Sequence, residues 1–219
     1  MRTAPRSEGG SAPARHARRF VPVAAAGLLL ILGLGLLAQG LWIPIKAQAA
    51  QFLLARAWQR SLAGDPAPPW PGADTTAVAE LSLAGKTFVV LTGGSGQALA
   101  FAPSHLPGTP LPGQPGLSVI AAHRDTHFAA LGELAPGRVV GVRRLDGRRY
   151  RFRITGGRIM DVRAARLTAR GGPPRLALVT CWPLNSPVPG GPLRLVLFAD
   201  RITGTAEPYQ TEAMDTESS

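Results

Sequence analysis

The chain has 219 residues, 45% of them hydrophobic, which is enough for one packed domain with additional segments. Its single cysteine, Cys181, excludes an intramolecular disulfide and any zinc site built on paired cysteines. The formal net charge is +11, but 22 of the 24 basic residues are arginines scattered along the chain, a pattern that argues against nucleic-acid binding.

The amino-terminal part of the chain combines a basic tail with an apolar segment. Residues 1–19 are polar and contain five arginines and one acid, which predicts a disordered cytoplasmic tail. Residues 20–45 contain no charge, and this run of 26 residues exceeds the roughly 20 that a helix needs to cross a bilayer. We therefore predict a transmembrane anchor over residues 20–45, with the remainder outside the cytoplasmic membrane.

A cleaved signal peptide is the alternative for this segment. Ala47, Gln48 and Ala49 fit a small-residue cleavage site, but the apolar run is longer than the about 7–15 residues usual in a signal peptide. An uncleaved anchor fits better, and both interpretations leave the main domain outside the membrane.

Residues 46–76 are predicted to connect the anchor to the main domain. Residues 46–62 are rich in helix formers and lack Gly and Pro, which predicts a helical stalk. Residues 64–72, GDPAPPWPG, form a proline-rich linker. Trp70 in this linker is expected to pack on the domain, and the PAPPWPG segment is the candidate for a regulatory lid.

From residue 77 onward, short β-rich runs alternate with Gly and Pro. Several of them alternate between apolar and polar residues, which is typical of a β-sandwich or barrel. The runs are TFVVL, LSVIAAH, RVVGVRRL, RYRFRITG, LALVTC and LRLVLFAD. We predict an all-β domain over residues 77–205, with one or two helical turns within residues 125–134. Residues 206–219 are predicted to be a flexible tail.

Three residues with complementary chemistry stand at the ends of these runs. His123 ends LSVIAAH, Cys181 ends LALVTC, and Arg194 lies at the start of LRLVLFAD. A cysteine nucleophile needs a thiolate, and a nearby histidine can supply the cation and later protonate a leaving amine. An arginine can stabilise the oxyanion that forms.

Each of these residues also has an ordinary interpretation. Cys181 alone is a small buried hydrophobic residue, and Arg194 is one of many arginines. His123 alone is a structural histidine, and His105 and His127 are equally available.

The order and spacing of these segments resemble the sortase family. The resemblance is carried by HLPGTPLPGQPGLSVIAAHRDTHFAALGEL and by LVTC, followed by a loop and an arginine-bearing strand. PWPGADTTAVAELSL, SGQALAFAP and CWPLN…PGGPLRLV look closest to the proteobacterial class GN sortases, over roughly residues 42–202. Sortases are membrane-anchored cysteine transpeptidases. The resemblance implies a closed β-barrel of about eight strands, preceded by an amino-terminal transmembrane helix.

The resemblance also assigns roles to individual residues. It implies that Cys181 is the nucleophile, His123 the general acid and base, and Arg194 the oxyanion stabiliser. Thr180 and Trp182 flank the nucleophile, and we expect them to contribute to substrate binding.

Neighbouring positions are interpreted in the same way. His105 and His127 have no catalytic counterpart in the family, and Arg124 is expected to support the loop. Ala122 stands where the family usually has glycine, and Leu117 stands where it often has asparagine. These two departures, and Trp182 after the nucleophile, leave the three site residues in place. They concern the shape of the groove in which the peptide substrate is expected to bind.

The implied reaction is a transpeptidation. Cys181 attacks a Thr–Gly-type bond in an LPXTG-like sorting signal of a partner protein and forms a thioacyl-enzyme. His123 protonates the leaving amine, and an amine acceptor at the cell envelope resolves the intermediate. The sequence contains no acidic cluster suited to calcium, and the reaction needs no cofactor. We expect an inner-membrane protein with its catalytic domain in the periplasm.

Two alternatives stay open. One is a cysteine peptidase that releases proteins by hydrolysis with the same residues, and the other is a non-catalytic, membrane-tethered binding domain.

Overall fold

The computed structural model describes residues 17–65, 68–93, 96–164, 166–186 and 190–203. These residues fall into two compact units that divide between Gln48 and Ala49. The predicted tail over residues 206–219 and most of the predicted tail over residues 1–19 lie outside the described residues.

One long helix, α1 (Ala17–Leu62), covers the segments predicted as anchor and stalk. It begins three residues before the predicted anchor. In the part of the chain that the structure describes, no helix combines the length and apolar character required to span a membrane. The transmembrane helix predicted over residues 20–45 is therefore not among the features found in this structure.

The last turns of α1 form part of the second unit. Leu54 and Trp58 are four residues apart, so they lie on one face of the helix, and both are buried. They pack in a cluster with Leu91, Ala98 and partly buried Phe101. Trp70 packs in the same cluster, with its ring edge-on to that of Phe101 at 5.0 Å, which confirms the expectation that it packs on the domain.

Eight strands form a closed barrel in the order β1-β2-β3-β4-β7-β8-β6-β5. This confirms the predicted all-β barrel. A short helix, α2 (Gly96–Phe101), and a 3₁₀ helix, η1 (Ala129–Glu133), lie between strands, and η1 falls within the predicted helical segment. The strands are β1 (Ala77–Leu83), β2 (Lys86–Thr92), β3 (Ser104–His105), β4 (Leu117–Ala121), β5 (Val139–Arg144), β6 (Arg149–Asp161), β7 (Arg175–Cys181) and β8 (Leu193–Arg201).

The alternating sequence of the strands fills the barrel interior. β1 alternates strictly between buried and half-buried residues, because successive side chains of a strand point to opposite faces. The central core contains Leu81, Ile120, Phe128, Phe152 and Leu178, each with no exposed surface. Burying each such side chain stabilises the fold by about 1.5–3 kcal/mol before entropy costs are counted.

The directions of β4, β7 and β8 determine where the three predicted catalytic residues lie in the barrel. β4 and β7 pair in parallel, so their carboxyl ends meet at the same end of the barrel. β8 runs antiparallel to β7, so β8 begins where β7 ends. The ends of β4 and β7 and the start of β8 therefore share one edge.

Candidate active site

Cys181 and Arg194 face each other across two paired strands. Cys181 is the last residue of β7, and its Cα is paired with that of Arg194 near the start of β8. The thiol is free and partly exposed. The register therefore places the predicted nucleophile directly beside the predicted oxyanion stabiliser.

His123 reaches the same end of the barrel from β4. Ala121 pairs with Val179, and the N–H of Ala122 still donates to the carbonyl of Val179 at 3.1 Å. His123 and Cys181 each lie two residues beyond the paired Ala121 and Val179, on parallel neighbouring strands. The structure thus gathers the three predicted catalytic residues at one edge, with His123 exposed to solvent.

Thr180 ties the two strand ends together. Its side chain is 2% exposed, and its hydroxyl donates to the carbonyl of Ala122 at 2.8 Å. This bond joins the residue before the cysteine to the residue before His123. It fixes the spacing of the two strand ends, while the substrate-binding role of Thr180 stays a prediction.

Trp182 extends the β7–β8 pairing by one residue beyond Cys181. Its N–H donates to the carbonyl of Leu193 at 3.0 Å, and its side chain is partly exposed. Its expected contribution to substrate binding stays a prediction.

The guanidinium of Arg194 is held by its own loop. Nη1 donates to the carbonyls of Gly191 and Leu193 at 2.7 and 2.8 Å. Within the described residues, Nε and Nη2 have no hydrogen-bond partner, so these donors remain for a developing oxyanion.

The acid nearest to Arg194 along the strands is already engaged elsewhere. Asp161 pairs with Leu193 at the end of β6, but its carboxylate accepts a hydrogen bond from Nη2 of Arg163 at 2.7 Å. The hydrogen bonds from Arg163 hold the pKa of Asp161 at about 2. Among the described residues Arg194 has no ion-pair partner, so its positive charge stays available at the site.

Arg124 supports the loop that follows the cysteine. Its side chain is 5% exposed, and it donates through Nη1 to the carbonyl of Pro183 and through Nη2 to that of Ser186, both at 2.7 Å. The residue next to His123 thus holds the segment next to Cys181. This confirms the loop-supporting role that was expected for Arg124.

A close approach between η1 and the same loop adds a second contact. A Cβ atom added to Gly132 would overlap the side chain of Leu184. The 3₁₀ helix that follows His123 and the loop that follows Cys181 therefore approach each other closely, and a larger residue at position 132 would require the Leu184 side chain to shift.

His105 lies away from these residues. It is 8% exposed on β3, and its Nε2 donates to the carbonyl of Pro110 at 3.0 Å. Burial lowers its pKa, and the Pro110 carbonyl opposes that shift only in part. His105 is therefore a neutral structural histidine, in agreement with its lack of a catalytic counterpart.

His127 is the neighbour that sequence reasoning missed. It is close enough for a charge on His123 to lower its pKa, in addition to the larger lowering caused by burial. The spacing of four residues between the two histidines is the one signal in the sequence that pointed to this proximity.

Comparison with known proteins agrees with this fold. Residues 81–202 match the family model for the sortase domain. No curated protein is similar enough to count as a relative.

Several solved structures share the fold, all with less than 25% identity. Sortase A from Corynebacterium diphtheriae superposes with a TM-score of 0.54 at 20% identity, covering 65% of this chain and 67% of that one. Sortase C-1 from Actinomyces oris gives a TM-score of 0.50 at 24% identity, covering 57% and 72%. Streptococcus pneumoniae sortase C gives a TM-score of 0.52 at 21% identity, covering 59% and 68%. Because the family model spans more than half of the sequence, the chain belongs to the sortase family of cysteine transpeptidases.

Proposed function

We propose that this sortase joins a partner protein carrying an LPXTG-like sorting signal to an amine at the cell envelope, with Cys181, His123 and Arg194 as its catalytic residues. The observation that carries the proposal is the register of β7 and β8, which sets Cys181 opposite Arg194. The parallel pairing of β4 with β7 adds His123 at the same edge.

The reaction has two steps, and each conserves protons and charge. In the first, the Cys181 thiolate attacks the carbonyl carbon of the Thr–Gly-type bond, and Arg194 stabilises the resulting oxyanion. The C–N bond breaks, protonated His123 gives its proton to the leaving amine, and a thioester remains on the sulfur. In the second step, an acceptor amine attacks the thioester, His123 takes the amine proton, and the thiolate leaves.

The environment of Arg194 supports its assigned role. Its Nη1 is fixed on two backbone carbonyls, which orients the planar guanidinium before substrate binds. The nearby carboxylate of Asp161 is occupied by Arg163 and does not neutralise the charge.

The proposal also includes an inner-membrane location, with the catalytic domain in the periplasm. This part rests on the sequence, in which an uncharged run over residues 20–45 follows a basic segment. Membership of class GN belongs to the same proposal. Sodium carbonate extraction of membranes from cells expressing the protein tests the location, because an anchored protein stays in the pellet.

The function is tested by incubating the protein with a library of LPXTG-like peptides and an amine acceptor. Intact protein and products are measured by mass spectrometry, with Cys181→Ala alongside. We expect a thioacyl adduct on Cys181 and an amine-ligated peptide, both absent in the variant. An adduct that yields only hydrolysed peptide at every amine concentration would indicate the peptidase instead. If Cys181→Ala ligates the peptide as fast as the wild type, Cys181 is not the nucleophile, and only a binding role remains for it.

A further inference from the structure

Four arginines lie on one face of the sheet formed by β5 and β6. Arg143 pairs directly with Arg149, so two like charges face each other across the strands, an arrangement that is unfavourable by itself. Arg151 and Arg153 follow Arg149 at intervals of two residues, so their side chains lie on the same face. We call this surface the arginine stripe, and its members are Arg143, Arg149, Arg151 and Arg153.

The arginine stripe lies outside the barrel and away from the active-site edge. Tyr150 and Phe152, which alternate with its members on β6, belong to the central core, so the arginines point away from the core. At the other end of β6, Met160 pairs with Arg194. A ligand bound to the stripe therefore leaves the surroundings of Cys181 open.

The charge of the stripe is not balanced by ion pairs within the domain. Among the residues that the structure describes, no salt bridge involves any of the four arginines. In the same set, the Nε atoms of Arg143 and Arg151 are buried and have no hydrogen-bond partner. A donor that is shielded from water and unpaired costs free energy, so an anion that reaches it is bound favourably.

Two acids adjoin the stripe but do not neutralise it. Glu80 on β1 pairs with Arg143 through the backbone, and their side chains form no ion pair within the described part of the chain. Asp200 on β8 pairs with Arg153, but its carboxylate accepts a hydrogen bond from Nε of Arg175 at 2.8 Å. The stripe therefore keeps an excess of positive charge.

The chain leaves the barrel beside the stripe. Beyond β8, the N–H of Ile202 donates to the carbonyl of Arg151 at 2.9 Å, so the chain still runs along β6 at this point. Glu207 follows Ile202 by five residues, which span at most about 18 Å when extended. Arg149 and Arg153 lie only about 7 Å along the strand from Arg151. The carboxylate of Glu207 can therefore reach the stripe.

The sequence beyond this point carries the charge that complements the stripe. Residues 204–219, GTAEPYQTEAMDTESS, contain four acids and no base, in a chain with a net charge of +11. Because both groups of charges belong to one chain, their effective concentration is about millimolar, so contacts that are weak individually suffice for binding. The four acids are Glu207, Glu212, Asp215 and Glu217.

We propose that residues 204–219 bind to the arginine stripe of the same chain through their carboxylates. Binding offsets the repulsion between Arg143 and Arg149 and supplies acceptors for the guanidinium groups of the stripe. The contact is ionic, so it weakens as salt is added. It stabilises the domain without covering the active-site edge, and it is independent of the proposed function.

A spin label on residues 204–219 of the full chain tests this proposal. Gln210→Cys is combined with Cys181→Ala, so that a nitroxide reagent reacts with one thiol only. The protein is kept in a non-ionic detergent, and its electron paramagnetic resonance spectrum is recorded at about 0.02 M and about 1 M NaCl, which correspond to weak and strong screening.

Two pairs of substitutions in this labelled protein separate the stripe from charge in general. Arg149→Glu with Arg153→Glu reverses the two exposed charges of the stripe. Arg56→Glu with Arg170→Glu makes the same change in net charge at exposed positions on α1 and before β7, and it is the matched control.

We expect a slowly tumbling label at low salt and loss of this slow component at high salt. Reversal of the stripe should remove the slow component at low salt, whereas the control should keep it. Adding Glu207→Arg with Glu212→Arg to the reversed stripe should restore the slow component, because the two charges have then been exchanged.

Neutralising the acids while leaving the domain unchanged gives a second measurement. In Glu207→Gln with Glu212→Gln, the thermal unfolding midpoint at low salt should fall by about 2–4 °C, and the difference should vanish at high salt. This variant also serves if the reversed stripe does not fold, since its spectrum should lack the slow component.

Three results would overturn the proposal. One is equal label mobility in the reversed stripe and its control. Another is a slow component at low salt that persists in Glu207→Gln with Glu212→Gln. The third is a slow component that disappears on dilution of the protein, because it would assign the stripe to residues 204–219 of a second copy.

Discussion

In the proposed function, Arg194 has two tasks within one side chain. Its Nη1 donates to the carbonyls of Gly191 and Leu193, while Nε and Nη2, which have no hydrogen-bond partner among the described residues, are left for the oxyanion. A planar fork with five donors can do both, whereas the single ammonium group of lysine cannot. The identity of this residue therefore matters beyond its charge.

We expect Arg194→Lys to lower kcat by at least tenfold and Arg194→Ala by about 10²–10³-fold, the usual loss when an oxyanion donor is removed. Steady-state kinetics of peptide ligation measure both effects. Arg149→Lys, at an exposed position on β6, should keep wild-type kcat. Full activity in Arg194→Lys would show that charge alone is sufficient.

His105 makes the stability of the fold dependent on pH. Its folded pKa is lowered by burial from its ordinary value of 6.5, so the unfolded chain binds the proton more readily. The contribution of neutral His105 to stability is therefore complete above the unfolded pKa. It is lost as pH falls below about 6.5 towards the lower folded pKa.

His105→Gln keeps an N–H donor for the Pro110 carbonyl and does not titrate. We expect it to be less stable than the wild type at pH 7.5 and to differ less from it at pH 5. Urea unfolding at the two pH values measures this difference, in which His127 and the other histidines cancel. A constant difference between the two proteins would mean that His105 does not titrate on unfolding.

At the residue level, the sequence predicted the three catalytic candidates but did not indicate which residues surround His127. Cys181, His123 and Arg194 were visible because they end or begin apolar runs. The ring of His127 meets that of Phe88 on β2, and no local pattern reveals which distant segments meet.

At the level of elements, the loop after Cys181 depends on one buried side chain. Arg124 donates to the carbonyls of Pro183 and Ser186, and hydrogen bonds from a charged group contribute about 1.5–3 kcal/mol each. Loss of these bonds affects both the stability of the fold and the placement of the thiol.

We predict that Arg124→Leu, which keeps most of the buried volume, lowers the free energy of unfolding by about 2–3 kcal/mol. It should also lower kcat by about tenfold or more, because small displacements of a nucleophile are costly. Urea unfolding and ligation kinetics measure the two effects. Asp125→Asn removes the negative charge of an exposed carboxylate 3.4 Å from Nε of Arg124 and should change stability by less than about 0.5 kcal/mol. A comparable loss in both variants would exclude the loop contacts as the cause.

Six of the eight strands were predicted as apolar runs, whereas β1, β3 and α2 were not. The six apolar runs coincide with β2 and with β4 to β8. β3 has only two residues, Ser104 and His105, so it carries no alternation that could be recognised. α2 has six residues and is held by tertiary packing of Ala98 and Ala102, which its local sequence does not disclose.

At the level of the whole molecule, the domain includes more of α1 than the sequence suggested. Residues 46–76 were interpreted as a stalk and a linker. In the structure, the contacts assign α1 from Ala49 onward to the same unit as the barrel, with Leu54 and Trp58 buried. A helix-forming pattern indicates a helix but does not indicate what its apolar face will cover.

A chain that begins at Ala49 should therefore unfold at the same urea concentration as one that begins at Lys46. A chain that begins at Ala63 lacks Leu54 and Trp58 and exposes their cluster. We expect it to lose about 3–6 kcal/mol of stability, from about 1.5–3 kcal/mol for each large apolar side chain. Urea unfolding of the three proteins measures this. Equal midpoints for all three would show that the helix is dispensable for folding.

The pairing of β4, β7 and β8 has a consequence for protein engineering. Cys181 and Arg194 are carried by paired strand ends, and the pairing continues from Trp182 to Leu193. The first residues after Cys181 are held through backbone carbonyls at positions 183 and 186, which accept hydrogen bonds from Arg124. Side chains in this segment can therefore be exchanged to alter the surface next to the thiol while the backbone contacts that hold the strand ends are kept.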